Sequence, residues 1–196
     1  MTQKTRIFEI ENSLLETTIE GIAYHCRGIL ELLNQDLEDE NLKGTPMRMA
    51  RYLTEFLNYD PGNYETSFES ITTDQLVMVR NIPFWSLCSH HLLLFRGKIS
   101  VAYLTGEKVI GLSKIPRIVQ KHAHKLQLQE KLAHDIADEL ENILDARGIA
   151  VIIKAEHSCM AARGIKSEGE MITSVLRGQF RTETAIRIEF FNLLNS

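Results

Sequence analysis

Near residue 75 the hydrophobic period of the chain changes, and this constrains the possible folds more than any other feature. Upstream, Leu15, Ile19, Ile22, Cys26, Ile29 and Leu33 recur at steps of three and four, which marks one face of a helix. Cys26 lies in that stripe and reads as a small apolar core residue. Thr45-Pro46 opens a second helix, because Thr is a good N-cap and Pro suits the first helical turn. Met49, Tyr52, Leu53, Phe56 and Leu57 give that helix an apolar face, and Asp60-Pro61-Gly62-Asn63 ends it as a turn.

Downstream the pattern is that of strands in pairs. Residues 75–82 and 96–103 read as strands, with Pro83 interrupting the first, and a turn at Thr105-Gly106-Glu107 leads into a short strand over 108–110. Residues 111–124 read as a helix with Ser113 as N-cap. Residues 127–144 read as a longer helix striped by Leu128, Leu132, Ile136 and Leu140, and Gly148 closes that segment. Strands are expected over 149–157 and 171–180, and a closing helix over 182–194. The chain thus divides into an N-terminal helical region, 1–63, and a β-β-α-α-β-β region with a final helix, 64–196. Adjacent strand pairs imply an antiparallel sheet with two helices on one face, an α+β layer. Its open edges need cover, and pairing with further copies of the chain into a closed barrel would supply it, so an oligomer is expected.

Charge and composition narrow the function. With 22 Lys+Arg against 26 Asp+Glu over 196 residues, the net charge of −4 argues against a broad nucleic-acid surface. The longest apolar run, residues 149–153, is far short of a membrane span of about 20 residues. The polar stretch over residues 1–9 has no apolar signal core, so a cytoplasmic location is expected. Three widely spaced cysteines, Cys26, Cys88 and Cys159, do not make a disulfide framework.

The chemistry concentrates in two short segments. Cys88 and His91 have C-x2-H spacing, which on a tight turn can aim a thiolate and an imidazole at one point. Cys159 is the best third ligand. If it continues a strand from His157, residues two apart share a face. Two Cys and one His would give Zn²⁺ three protein ligands and an open fourth position, as in catalytic rather than structural sites. The plainer alternative is a buried thiol beside surface imidazoles. His90 and His157 would remain beside the metal, suited to proton transfer. Ser113, Lys114 and Arg117 surround a helix N-terminus, a natural seat for phosphate, and Arg48 and Arg163 add to the positive charge. Each alone could equally be a solvated surface charge. Gln129 and Glu130 open the long helix, either as an exposed first-turn pair or as a reader of the guanine N1–H and 2-amino edge. His122 and His124, two apart on a helix, face different ways and are not expected to share a metal.

Together these residues resemble the GTP cyclohydrolase I family, from about Asn41 to the C-terminus. The most specific matches are Cys88-Ser89-His90-His91, Val109-Ile110-Gly111-Leu112-Ser113-Lys114, Leu128-Gln129-Glu130-Lys131-Leu132 and His157-Ser158-Cys159-Met160-Ala161-Ala162-Arg163-Gly164. The resemblance implies the tunnelling fold, a ββααββ unit whose sheets join into a barrel, and a homodecamer with active sites between subunits. It implies Cys88, His91 and Cys159 as zinc ligands and His90 and His157 as acid–base residues. It implies Gln129 and Glu130 as the guanine-recognising pair, Arg48, Lys114, Arg117 and Arg163 as the triphosphate cluster, and Ser113 beside ribose and phosphate. The implied reaction takes GTP and water to 7,8-dihydroneopterin triphosphate and formate. The alternatives left open are another tunnelling-fold enzyme of purines or pterins and a nucleotide-binding homologue without turnover. One departure stands out. The family usually carries Glu between the Cys and the two His, where this chain has Ser89. Activity is expected to survive, since every ligand and both acid–base histidines remain.

Overall fold

The computed structural model describes the backbone of residues 3–196 and the side chains of residues 14–196. Met1 and Thr2, part of the polar stretch noted above, lie outside the described residues. The chain forms two compact units, Met1–Asn58 and Tyr59–Ser196. The sequence pattern puts the break after residue 63. The structure puts it earlier because the 60–63 turn is bound to the second unit, where the Pro61 and Asn63 carbonyls accept hydrogen bonds from Arg117 and Lys114.

The first unit consists of α1 (Gln3–Leu32) and α2 (Thr45–Leu57). In α2, Pro46 occupies the first turn and Gly44 the N-cap, so Thr45 is the first helical residue rather than the cap. The stripe on α1 leaves Leu15, Ile29 and Leu33 exposed and Cys26 half-buried, so Cys26 is not a core residue.

The second unit contains β1 (Ser67–Glu69), β2 (Leu76–Cys88), β3 (Leu94–Leu104), β4 (Lys108–Ile110), α3 (Lys114–Ala123), β5 (Leu126–Gln127), α4 (Gln129–Ile143), β6 (Gly148–His157), α5 (Ser158–Ala161), β7 (Glu170–Gly178), α6 (Gln179–Thr182) and α7 (Thr184–Asn195). The main sheet has the order β5-β2-β3-β6-β7, and β1 pairs with β4 apart from it. Apart from the short parallel pairing of β2 with β5, its neighbours run antiparallel. Strand alternation turns Phe84, Phe95, Ile99, Val101, Ile149, Val151 and Ile153 to one face. There they pack against Ile115, Ile118 and Val119 of α3 and Leu132, Ile136 and Leu140 of α4. Ala102, Leu104, Ala150 and Ile152 point the other way, under Phe180 and Phe190 of the C-terminal helices. This is the expected ββααββ unit.

Three local expectations are corrected. Pro83 does not interrupt β2, which continues to Cys88. At Pro83 the strand is paired with β3 alone, and such an edge position tolerates the missing N–H. The irregularity falls just before it, where the register shifts between Val79 and Ile82 and Asn81 adopts φ +58°. The last expected strand ends early, at Gly178, and Gln179–Thr182 form the short helix α6, while the closing helix is α7. Cys159 lies on the single turn α5, since β6 ends at His157.

Candidate active site

The site is assembled at one end of the sheet. Cys88 ends β2, and a tight turn returns the chain to β3: Leu92 N–H donates to the Cys88 carbonyl at 2.9 Å, and Cys88 N–H donates to the Leu93 carbonyl at 2.9 Å. Leu92 takes a left-handed conformation, φ +55°, to complete that turn. His90 and His91 stand on it, both exposed, with their rings edge to face at 6.2 Å. On the other side, β5 pairs with the end of β2 through Cys88 and Gln127, and Ser89 N–H donates to the Gln127 carbonyl. β5 leads directly into α4, so Gln129 and Glu130 are carried to the same end of the sheet. Across β3, Phe95 pairs with His157, the last residue of β6, and α5 then supplies Cys159.

The structure brings together the three residues read from the sequence as ligands. One ligand atom from each of Cys88, His91 and Cys159 lies within 4.8 Å of the others. A tetrahedral zinc with bonds of about 2.0–2.3 Å needs ligand atoms somewhat under 4 Å apart, so a small inward adjustment of these side chains would close the set. Two sulfurs and an imidazole suit that ion well. Burial pushes the Cys159 thiol upward, the neighbouring Cys88 adds to the rise, and Arg163 opposes it. Arg163 also donates from Nη1 to His91 Nε2 at 2.6 Å.

His157 is held on two sides. Its ring stacks on Phe95, with centroids 4.6 Å apart and planes 6° from parallel, and its Nε2 lies 2.8 Å from Gln129 Oε1. Burial lowers its pKa below the ordinary imidazole value, with Glu130 pulling the other way. It lines a cavity of about 460 Å³ together with Glu156, Ala161, Glu168, Gly169 and Glu170.

Gln129 and Glu130 separate. Glu130 is exposed, whereas Gln129 is 1% exposed with its side chain turned into the protein. Lys114 Nζ donates to the Asn63 carbonyl at 2.8 Å and Arg117 donates to the Pro61 carbonyl. Ser113 is the N-cap of α3 but makes no side-chain capping bond. Arg48 belongs to the first unit, where it donates to the Asn41 carbonyl and Thr45 Oγ1, each at 2.8 Å. His122 bonds Glu139, and His124 stacks on Tyr59. Two participants escaped the sequence reading. Phe95 looked like one more core residue of its strand, and only the β3–β6 register sets it against His157. Thr173 reaches Gln129 across the sheet.

A family model described as GTP cyclohydrolase I matches residues 22–195. A GTP cyclohydrolase 1 of Rhodopirellula baltica is 43% identical over 184 residues, covering 92% of this chain and 80% of that relative. Another, of Sulfurihydrogenibium, is 45% identical over 172 residues, covering 87% and 91%. Among solved structures, a QueF-like archaeosine synthase in the apo form aligns with a TM-score of 0.42 at 18% identity, over 53% of this chain and 95% of its own. The chain belongs to the GTP cyclohydrolase I family.

Proposed function

We propose that this chain is a zinc-dependent GTP cyclohydrolase that converts GTP and water to 7,8-dihydroneopterin triphosphate and formate. The observation that carries the reading is the Cys88, His91 and Cys159 donor set, gathered within 4.8 Å in a chain of this family. When bound there, zinc lowers the pKa of water and so supplies hydroxide at neutral pH for attack on C8 of the guanine.

The chain's own residues do the rest. His157, held between Phe95 and Gln129, accepts and returns protons at the reacting ring. His90, exposed on the turn beside His91, is the second proton carrier. Proton delivery to the ring nitrogens lets the imidazole portion open and formate leave. The ribose then rearranges and the ring recloses. Glu130 accepts from the N1–H and 2-amino donors of guanine, which present a pair matched to a carboxylate. Lys114, Arg117 and Arg163 receive the triphosphate, with Ser113 beside them and Arg48 as a further cation. Among the described residues Lys114 and Arg117 are held by carbonyl oxygens rather than carboxylates, so their charge is left for an anion to use. Ser89, where the family usually has Glu, leaves this set intact.

The same reading places the chain in a homodecamer, which would cover the free edges of β5 and β7, and at the first step of pterin and folate-type synthesis in the cytoplasm. Among the described residues no helix is long and apolar enough to cross a membrane. The test is to incubate zinc-loaded protein with GTP or guanosine and oxidise the product. A fluorescent pterin from GTP alone supports the reading, and its absence from assembled, metal-replete protein overturns it.

A further inference from the structure

Gln129 begins α4, yet its side chain is turned inward and both ends of its amide are bonded. Its Nε2 lies 3.2 Å from the Ile153 carbonyl oxygen, 2.9 Å from the Met171 carbonyl oxygen and 3.2 Å from Thr173 Oγ1. A carbonyl oxygen can only accept, so the amide nitrogen must face β6 and β7. The opposite orientation would set Oε1 against two carbonyls. Backbone atoms of two strands therefore determine which end of the amide meets the histidine, and that end is Oε1, 2.8 Å from His157 Nε2. An amide oxygen can only accept as well. The proton of a neutral His157 must then sit on Nε2, leaving the lone pair on Nδ1, which has no hydrogen-bond partner among the described residues. Phe95, parallel to the ring at 4.6 Å, fixes its plane.

We infer that Gln129 is a positioning residue that locks His157 in the Nε2–H tautomer and leaves Nδ1 as the open lone pair of the ring. This rests on His157 acting in proton transfer, and it assigns Gln129 a task other than contact with guanine.

The experiment has two arms. In the metal-free and the zinc-loaded wild-type protein, two-bond ¹⁵N–¹H correlations of the imidazole show which nitrogen of His157 carries the proton. A single Nε2–H species is expected, and a mixed population or an Nδ1–H species overturns the inference. In Gln129→Met, which keeps the length of the side chain and removes the acceptor, the His157 ring is expected to become a mixture of tautomers. The kcat for GTP should fall about 100-fold, the cost of a misplaced reacting group, with KM unchanged. A raised KM with kcat intact would instead make Gln129 a substrate contact and overturn the inference. The wild-type spectrum decides the matter even if the variant does not fold. Because it needs no substrate, it stands or falls separately from the proposed function, which fails if the wild type does not turn over GTP.

Discussion

Glu139 offers a sharp test of how α3 and α4 are held together. Its carboxylate accepts from Lys121 Nζ at 2.7 Å and lies 3.1 Å from His122 Nε2. Lys121 in turn donates to Tyr64 Oη at 2.6 Å and sits 4.1 Å from the centre of the Tyr64 ring. Glu139→Gln keeps the size and one acceptor but removes the charge. An exposed ion pair contributes about 0.2–1 kcal/mol, and cutting a buried one costs about 3–5 kcal/mol. The Lys121 and Glu139 side chains are 25% and 18% exposed. The cost therefore falls between those limits, at about 2 kcal/mol, which lowers Tm by about 4–8 °C for a unit of this size. The pH dependence supplies a second check. Burial works to raise the Glu139 carboxyl, but the hydrogen bond and charge of Lys121, with His122, outweigh it and hold it below the ordinary carboxylate value. A carboxyl depressed in the folded state contributes stability above its unfolded value, about pH 4.3, and loses it as the pH falls through the folded value. The deficit of Glu139→Gln should thus be full at pH 7 and shrink in acid, where the wild-type carboxyl is itself neutral. Thermal unfolding at fixed protein concentration, repeated across pH, measures both. A Tm equal to wild type at pH 7, or a deficit that persists in acid, would refute the reasoning.

Two further substitutions probe the site. On the proposed reading, Cys159→Ser removes one of two sulfur ligands, and purified protein should lose bound zinc, by elemental analysis, together with GTP turnover; a full complement of zinc in the variant would refute the ligand assignment. On the proposed reading, Arg163→Ala removes a charge-assisted hydrogen bond to the triphosphate, worth about 1.5–3 kcal/mol. Steady-state kinetics should show KM for GTP raised about 10- to 100-fold while zinc content holds, and an unchanged KM would remove Arg163 from the triphosphate cluster.

Much of this arrangement was legible in the sequence because it follows from local periodicity. The change of period near residue 75 forecast the paired strands, and the C-x2-H spacing on a turn forecast two donors aimed at one point. What was not legible depends on contacts between distant segments. Nothing local reveals that the chain leaves β6 at His157, and so Cys159 was expected on a strand when it sits on a helical turn. Gln129 shows the same limit from the other side. Its type suggests an exposed first-turn residue, yet its spacing to Leu132, Ala133 and Ile136 places it on the buried stripe of α4, a periodic signal outweighed by the polarity of the residue. The stacking of Phe95 on His157 depends on the register of β3 against β6, which no local pattern encodes.

The central claim is that the Cys88, His91 and Cys159 centre, with His157 beside it, opens the guanine ring of GTP at C8. The most direct measurement uses GTP labelled with carbon-13 at C8 and follows the label in zinc-loaded protein, with and without a chelator. The account predicts one labelled formate per GTP consumed, with the triphosphate retained on the product, and loss of both when the metal is stripped. Unlabelled or absent formate from assembled, zinc-replete protein, or undiminished release after complete metal removal, would contradict it.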